Sequence, residues 1–316
     1  MGCIRKAGIV LEMLIVTTNP HFLDWVSKLP YDSKVFKINA QMSRIKKALF
    51  YATLNPRLRI LSWKYDIVFC DWFNEFASTM SRVSSKRIFV RLHRYEAHNP
   101  VHLKTAKLRN IKAVITVSNF YKSIVEEILL DEVPVYVVPN GVDTERFRFS
   151  QHINTPLKIC TVSNLVPRKR IFDLIVNNPS LEINIGGKGE EKLVLEDAIR
   201  RFNLKAKLSG FVKLPEFYHQ HDIFIMNSSD ESFGVSLVEA MSCGLIPLCF
   251  AWHGVEEILP KEYIYHSYEE MQEKLCRIRD MPKTEITRVK RKMRSIVESG
   301  FSLETQARNF TSIFNQ

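Results

Sequence analysis

The chain has 316 residues, of which 46% are hydrophobic and 25% are charged, a composition that excludes disordered and fibrous proteins. This length is sufficient for two domains, each with its own hydrophobic core. The net charge of +11 is concentrated in residues 1–150, which hold 23 Lys and Arg against 13 Asp and Glu, and this excess favours an anionic partner or surface.

Three features narrow the class of protein further. The apolar stretch Gly8–Val16 contains Glu12 and is far shorter than the roughly 20 residues of a membrane-spanning helix. The opening residues lack the core of a signal peptide, and Lys6 breaks the myristoylation pattern. The six cysteines form no Cys-x-x-Cys pair, so we expect buried free thiols and a cytoplasmic protein.

In the first half, short apolar segments alternate with helix-length stretches, the first of which predicts a helix over His21–Leu29. The predicted strands are Met13–Thr17, Tyr65–Cys70, Arg87–Leu92, Ala113–Val117 and Val133–Val138. This alternation is typical of βαβ units around a parallel sheet. The Asn140-Gly141 turn and the polar stretch Arg146–Pro156 follow, and we place the end of a first domain there, at residue 150.

The second half repeats this pattern. Its predicted strands are Leu157–Val162, Leu181–Ile185, Ala206–Val212, Asp222–Met226 and Leu245–Phe250. Its predicted helices are Arg170–Val176, Glu190–Phe202 and Ser236–Cys243, with further helix from Ser267 onward. We therefore expect an α/β fold with two Rossmann-like domains, residues 1–150 and 151–300, facing a central cleft in which ligands bind. The final helix, residues 301–316, is expected to cross back to the first domain.

A cluster of polar residues follows the predicted strand Asp222–Met226. Glu231 lies just before a helix and Glu239 lies on that helix. The helix start consists of Phe233, Gly234 and Val235. Backbone N–H groups at a helix start attract anions, glycine allows a phosphate to approach closely, and carboxylates accept hydrogen bonds from sugar hydroxyls. Spacing alone leaves open that Glu239 faces solvent and that Glu231 only offsets the helix dipole.

The order of these residues resembles the Glu-x7-Glu signature of the retaining glycosyltransferases of group one, also called family four, which have the GT-B fold. Other segments similar to that family follow in the same order: 137–147, 162–170, 187–189 and 210–212. The resemblance implies transfer of a sugar from a nucleotide diphosphate sugar to an acceptor hydroxyl in glycan, polysaccharide or glycolipid synthesis. It implies no cofactor and no metal, because fixed cations and helix dipoles take the place of a metal ion.

The resemblance also implies roles for individual residues. Glu231 would hold hydroxyls of the donor sugar, Glu239 would bind the ribose hydroxyls, and Lys169 would neutralise the leaving diphosphate. The backbone amides of Phe233, Gly234 and Val235 would help to hold sugar and phosphate. A fixed cation beside a helix start suits this chemistry, since departure of a diphosphate builds negative charge.

His93 is the candidate contributed by the first half. It follows a predicted strand, where an imidazole can hydrogen-bond a sugar or a phosphate, and the family resemblance implies a histidine near the anomeric carbon of the donor. The alternative is a histidine whose hydrogen bonds are satisfied within its own loop.

The chain departs from the family pattern in two places. Asn164 stands in a Ser-Asn pair where relatives usually have Gly-Arg, so it supplies no charge to the diphosphate, although Arg168 or Arg170 could. Arg168, Lys169 and Arg170 could also be a solvated surface cluster. The first strand leads to Thr17–Pro20 where many relatives carry a glycine-rich loop, which suggests a shortened acceptor side.

The expected partners are a nucleotide-sugar donor, a glycan or glycolipid acceptor, and an anionic membrane surface, without nucleic acid because no matching motif is present. The basic stretch Gln41–Lys64 is either an amphipathic surface that lies on anionic lipid or an ordinary surface helix. His219, His221 and Asp222 lack the spacing of a metal site. Two other functions remain open, a nucleotide-sugar epimerase on the same scaffold and a non-catalytic nucleotide-sugar-binding subunit.

Overall fold

A computed structural model describes residues 11–19, 23–38 and 56–316. The chain divides into two units. The first extends to Gly141 and includes Leu303–Gln316, and the second is Val142–Ser302. The division thus falls before the predicted residue 150, because the segment after Val142 bonds to the second unit. Ser150 donates its backbone N–H to Cys243, and Arg294 donates to the carbonyl of Phe147.

The first unit contains a parallel sheet with the strand order β2-β1-β3-β4-β5-β6. Its strands are β1 (Glu12–Thr17), β2 (Asp32–Lys37), β3 (Ile67–Cys70), β4 (Arg87–Arg91), β5 (Ile111–Thr116) and β6 (Val135–Val137). Between β3 and β6 it contains the α-helices α1 (Glu75–Val83), α2 (Arg94–His98), α3 (Val101–Thr105) and α4 (Asn119–Leu129). The predicted strands are confirmed, whereas β2 was not predicted.

The second unit contains a parallel sheet with the order β12-β11-β10-β7-β8-β9. Its strands are β7 (Ile159–Val162), β8 (Ile183–Gly186), β9 (Ala206–Gly210), β10 (Ile223–Met226), β11 (Ile246–Phe250) and β12 (Ile264–Tyr265). Its α-helices are α5 (Ile171–Val176), α6 (Lys192–Arg201), α7 (Leu214–His219), α8 (Val235–Ser242), α9 (Tyr268–Arg279) and α10 (Lys283–Gly300). The two sheets show the α/β fold with Rossmann-like units that the sequence predicts.

The last helix, α11 (Leu303–Phe314), packs in the core of the first unit. Phe310 stacks on Trp25 with ring centroids 3.9 Å apart, and Phe314 meets Phe69 and Phe89 edge to face. Aromatic pairs of this kind stabilise a core beyond the area that they bury.

Three sequence expectations need correction or lie outside the described residues. The predicted helix His21–Leu29 is a short 3-10 helix, Asp24–Lys28, in the part that the structure describes. Residues 56–63 are helical, but the rest of the basic stretch Gln41–Lys64 before them lies outside the described residues. The thiols of Cys70, Cys160, Cys243 and Cys249 are buried and free as expected, whereas Cys276 is free and exposed.

Among the described residues, no helix is both long and apolar enough to span a membrane.

Candidate functional site

The strand order of the second unit places one crevice at its centre. After β7 the chain adds β8 and β9 on one side, and it then returns to place β10 on the other side of β7. The loops that leave β7 and β10 therefore diverge above the carboxyl ends of two neighbouring strands. Ligands of open α/β sheets bind at such a switch point. The segments 163–170 and 227–234 are these two loops.

The two loops are joined by a buried charge cluster. The Lys169 ammonium contacts Oε1 of Glu231, and Nη1 of Arg168 donates to Oε2 of the same carboxylate at 3.2 Å. Lys169 is 8% exposed and Glu231 is 6% exposed, so both groups are largely shielded from water. Burial alone would raise the pKa of Glu231, but Lys169 and Arg168 hold that pKa below its ordinary value. Glu231 is therefore ionised at neutral pH and shared between two cations.

Backbone contacts fix the distance between the loops. Ser229 donates its N–H and its hydroxyl to the carbonyl of Arg168, at 2.9 and 3.2 Å. The Arg168 guanidinium donates in turn to the carbonyl of Asp230 at 2.9 Å. Hydrogen bonds to main-chain carbonyls thus bring together Lys169, which the sequence predicts as a phosphate-binding cation, and Glu231, which it predicts as a sugar-binding carboxylate. Lys169 is consequently not part of a solvated surface cluster.

A glycine turn after β8 supports the first loop. Ser163 donates its N–H to the carbonyl of Gly186 at 3.0 Å, and Leu165 donates to Lys188 at 2.7 Å. Gly187 has φ +146°, and a Cβ there would lie 1.8 Å from the carbonyl oxygen of Ser163. The backbones approach so closely that only glycine fits at position 187.

The structure separates the two arginines that could replace the charge missing at Asn164. Asn164 is exposed, and its carbonyl accepts the N–H of Val166. Arg168 reaches Glu231, whereas the Arg170 guanidinium lies over the Phe250 ring, 4.4 Å from its centroid, and its Nε donates to Asp173. Arg168 is thus the residue that adds a second positive charge to the cluster.

Helix α8 begins beside this cluster with the residues that the sequence predicts. Gly234 has φ +79°, and the helix start has no side-chain cap among the described residues. Phe233 is buried against Phe301, and Val235 is the first helical residue. Because the first N–H groups of a helix have no partner within it, this start can receive an anion.

Glu239 lies one turn further along α8 and is half-buried. Burial raises its pKa to about 7, although nearby Arg146 and a hydrogen bond with the Tyr218 hydroxyl act in the opposite direction. The Tyr218 hydroxyl also lies 3.3 Å from the carbonyl oxygen of Ser236, beside the helix. Neither Arg146 nor Tyr218 was a predicted site residue, because both are distant from Glu239 in the sequence.

The pKa of Glu239 leads to a pH-dependent prediction. A carboxylate accepts hydrogen bonds from two vicinal hydroxyls, whereas its protonated form loses acceptor capacity. As the pH rises from 6 to 8, Glu239 ionises, and we expect the affinity for a nucleotide diphosphate sugar to increase by up to about tenfold. Calorimetry at several pH values measures this change, and the sugar-linked diphosphate has no phosphate pKa near 6 to obscure it.

Glu239→Gln is the control for this titration. The amide does not ionise between pH 6 and 8, so its affinity should be lower at pH 8 and nearly independent of pH. An equal pH dependence in the variant and in the unchanged protein would show that another group titrates.

His93, the remaining predicted residue, belongs to the first unit, where it follows β4. Its ring lies against Trp72 at a tilt of 33° with centroids 4.2 Å apart, and Nε2 donates to the carbonyl of Asp71 at 3.2 Å. Burial and the nearby Arg91 hold the pKa of His93 well below its ordinary value. The imidazole is therefore neutral at physiological pH, and its Nε2 carries the proton because a carbonyl only accepts.

A buried polar network near His93 was not predicted. Arg91 and Asp71 are both fully buried, with Nη1 of Arg91 3.6 Å from Oδ1 of Asp71. Arg91 also contacts the side-chain oxygen of Asn140, and Thr17 donates to Asp71 at 3.4 Å. Burial raises the pKa of Asp71 to about 7, against the effect of Arg91. The only sequence signal was an arginine at the end of an apolar strand.

Two family models match adjacent parts of the chain. The model "Glycosyltransferase Family 4" matches residues 27–146, and "Glycosyl transferases group 1" matches residues 143–288. The chain is 33% identical over 145 residues to a human phosphatidylinositol N-acetylglucosaminyltransferase subunit, covering 41% of this chain and 30% of that protein. It is 29% identical over 121 residues to the GtfA subunit of a UDP-N-acetylglucosamine–peptide N-acetylglucosaminyltransferase of Streptococcus agalactiae, covering 35% and 24%. The matched segments therefore span less than a third of either relative.

Solved structures show the same fold over nearly the whole chain. Anabaena HepE in complex with UDP superposes with a TM-score of 0.79, covering 96% of this chain and 100% of that one at 17% identity. Sucrose-phosphate synthase from Thermosynechococcus elongatus gives a TM-score of 0.74, covering 98% and 89% at 16% identity. With its two parallel-sheet units and two adjoining family matches, the chain belongs to the group 1 glycosyltransferases.

Proposed function

We propose that this protein transfers a sugar from a nucleotide diphosphate sugar to an acceptor hydroxyl, with retention of configuration at the anomeric carbon. The observation that supports this most directly is the cluster of Lys169, Arg168 and Glu231 at the switch point of the second unit. Two cations and a carboxylate beside an uncapped helix start suit a ligand that combines a diphosphate with sugar hydroxyls.

The cluster suggests how the donor is held. A diphosphate at the start of α8 would compete with Glu231 for Lys169 and Arg168, because its oxygens carry more negative charge. Glu231 would then accept hydrogen bonds from the donor sugar, while Glu239 would accept them from the ribose hydroxyls. The two carboxylates are eight positions apart in the sequence, so the loop before α8 and the first turn of α8 would span the interval between sugar and ribose.

The same cations would serve the reaction. Cleavage of the glycosidic bond leaves the electron pair on the diphosphate, and cations already in place stabilise this charge without reorganisation. Lys169 and Arg168 would fill the role that a metal ion has in other phosphate chemistry. We assign the acceptor proton to the departing phosphate on the same face of the sugar, since Glu231 would be occupied by hydroxyls of the donor sugar.

We assign His93 to the sugar end of the donor, where its Nε2–H would donate to a hydroxyl near the anomeric carbon in place of the Asp71 carbonyl. Its position after β4 and its lowered pKa support this assignment, because a neutral ring adds no charge that would oppose the cationic transition state. Activity should accordingly show no titration step from His93 between pH 6 and 8.

The relatives support a uridine diphosphate sugar as the donor. HepE was solved with UDP and with UDP-glucose, and the GtfA relative is named for UDP-N-acetylglucosamine. The human relative is named for phosphatidylinositol, so we propose a glycan or glycolipid acceptor here. Several relatives are named as subunits, and a requirement for a partner protein is one outcome of the central experiment below.

We also propose that the first unit binds the cytoplasmic face of an anionic membrane. On the helical residues 56–63, Ile60 is 63% exposed and Trp63 is 77% exposed. Exposed basic residues flank them: Arg57, Arg59 and Lys64. A tryptophan with basic neighbours is typical of a helix that lies on lipid head groups.

The membrane proposal predicts that Trp63→Ala lowers sedimentation with anionic vesicles. Phe202→Ala is the control, because it removes an exposed aromatic from the second unit and should leave sedimentation unchanged. Equal binding by both variants would contradict the proposal.

The central experiment supplies UDP-sugars with a panel of hydroxyl acceptors and follows UDP release and the anomeric configuration of the product by NMR. We expect UDP formation that depends on an acceptor, and a product with the configuration of the donor. An altered free nucleotide sugar without an acceptor would identify an epimerase. Nucleotide binding without turnover on any acceptor would identify a non-catalytic protein that works with a partner.

A further inference from the structure

Asn227 is the first residue after β10, and its side chain is 1% exposed. Its Nδ2 donates to the carbonyl of Arg170 at 2.8 Å and to the Tyr268 hydroxyl at 3.0 Å. Its Oδ1 accepts from the Tyr265 hydroxyl at 2.7 Å. Every polar atom of this buried amide is thus engaged, which is how a polar side chain fixes its surroundings instead of weakening them.

The hydrogen bonds define which way the amide faces. The carbonyl of Arg170 can only accept, so the NH2 group of Asn227 must point toward it. The oxygen then faces Tyr265, whose hydroxyl donates to it. If an acceptor oxygen replaced this NH2 group, it would face the carbonyl oxygen of Arg170 in a buried position, and the two oxygens would repel each other.

Arg170 is the residue that this amide holds. It adopts the left-handed conformation, with φ 50° and ψ 37°, which costs an ordinary residue about 1–2 kcal/mol. It ends the 3-10 turn Pro167–Lys169 and precedes the first residue of α5. The direction in which Lys169 projects therefore depends on the backbone of Arg170.

Three contacts consequently join the two loops of the site, the 168–170 turn and the 227–231 segment. Asn227 holds Arg170, Ser229 holds the carbonyl of Arg168, and Glu231 pairs with Lys169. The contacts come from alternate residues of the 227–231 segment, and together they reach all three residues of the 168–170 turn. Loss of the first contact would release the turn while leaving all charged groups of the site in the chain.

We propose that Asn227 is a positioning residue for the diphosphate, which it does not touch: it holds the left-handed turn at Arg170 so that Lys169 is directed to the leaving group. This inference rests on the proposed function in assigning Lys169 to the diphosphate. It predicts a defect in donor binding and turnover from a residue that contributes no charge and no contact to the donor.

The test is Asn227→Asp, assayed for UDP-glucose affinity by calorimetry and for kcat and KM in donor turnover. The substitution keeps the shape but places an acceptor opposite the Arg170 carbonyl. At pH 8 we expect affinity about tenfold below that of the unchanged protein, since a buried hydrogen bond is replaced by repulsion. At lower pH a protonated carboxyl can donate to the same carbonyl, so the ratio of the two affinities should approach one.

Asn178→Asp is the matched control. Asn178 is buried in the same unit, donates Nδ2 to the carbonyl of Leu174 at 2.8 Å and accepts from Gln272. It makes the same kind of contacts at the far end of α5, away from Lys169 and Glu231. We expect its thermal stability to fall as in Asn227→Asp, with UDP-glucose affinity nearly unchanged.

A second variant, Tyr265→Phe, removes only the donor to Oδ1 and should lower UDP-glucose affinity by about threefold. It supplies the result if Asn227→Asp does not fold. Equal affinities in the unchanged protein and in the folded position-227 or position-265 variant would overturn the inference. Equal losses in the Asn178→Asp control would overturn it too, since they would indicate general destabilisation. Failure of the unchanged protein to bind any nucleotide sugar would instead refute the proposed function.

Discussion

Replacing Lys169 by alanine is expected to lower the kcat for donor turnover by about 10²–10³-fold, the usual effect of removing one preorganised charge-stabilising group. Lys169 is the more buried of the two cations at Glu231, and burial strengthens its interaction with a developing charge. The leaving diphosphate would retain Arg168, whose side chain is 36% exposed and therefore screened by water. Steady-state rates with saturating UDP-sugar and acceptor measure this effect.

Two controls separate charge stabilisation from loss of folding. Lys169→Ala leaves Glu231 buried beside one partially exposed cation, and breaking such a buried pair costs about 3–5 kcal/mol of stability. The double variant Lys169→Ala with Glu231→Gln removes the uncompensated charge, so it should regain stability without regaining turnover. Arg170→Gln removes a cation one position away that faces Phe250, and turnover should change little. Undiminished transfer by Lys169→Ala would refute the assignment of Lys169.

The sequence predicts the buried strands well, because parallel strands covered on both faces are continuous apolar runs. The strand β2 (Asp32–Lys37) escapes this rule, since it lies at the edge of the sheet and only Val35 and Phe36 of its six residues are apolar. The strand β12 escapes for another reason, because two residues are too short for any pattern. Helix Asp24–Lys28 illustrates the limit of periodicity, which does not distinguish one 3-10 turn from a longer α-helix.

The candidate site could be predicted where its residues are consecutive in the sequence. The helix start at Gly234 and the turn around Lys169 are local features, and the structure places them on neighbouring strand ends. The contact between Lys169 and Glu231 joins positions 62 residues apart, and the fully buried pair Asp71–Arg91 has no local pattern at all. Such contacts depend on strand order, which composition and spacing do not determine.

The second large expected effect is a loss of stability when Gly187, in the turn after β8, is replaced by alanine. Gly187→Ala is expected to destabilise the second unit by about 2–4 kcal/mol, since overpacking and backbone strain each cost about 1–3 kcal/mol. The added Cβ would lie 1.8 Å from the carbonyl oxygen of Ser163, which is backbone and has no rotamer to change. The loop bearing Lys169 must shift to relieve this contact, so affinity for UDP-glucose should fall as well.

Alanine substitutions at two other glycines of the same unit separate the contribution of steric overlap from that of backbone strain. Gly210 has φ +67°, and a Cβ added there would have nothing within 4 Å, so Gly210→Ala should cost only the backbone strain, about 1 kcal/mol. Gly300 is the last residue of α10, with open space around it, and Gly300→Ala should leave stability unchanged or raise it by about 0.5–1 kcal/mol. Urea dependence of amide exchange in β7 and β8 reports the three stabilities. Equal stability of the alanine variants at positions 187 and 210 would show that the Ser163 loop moves freely, and the fixed position of Lys169 would then have to come from the contacts of the 168–170 turn with the 227–231 segment.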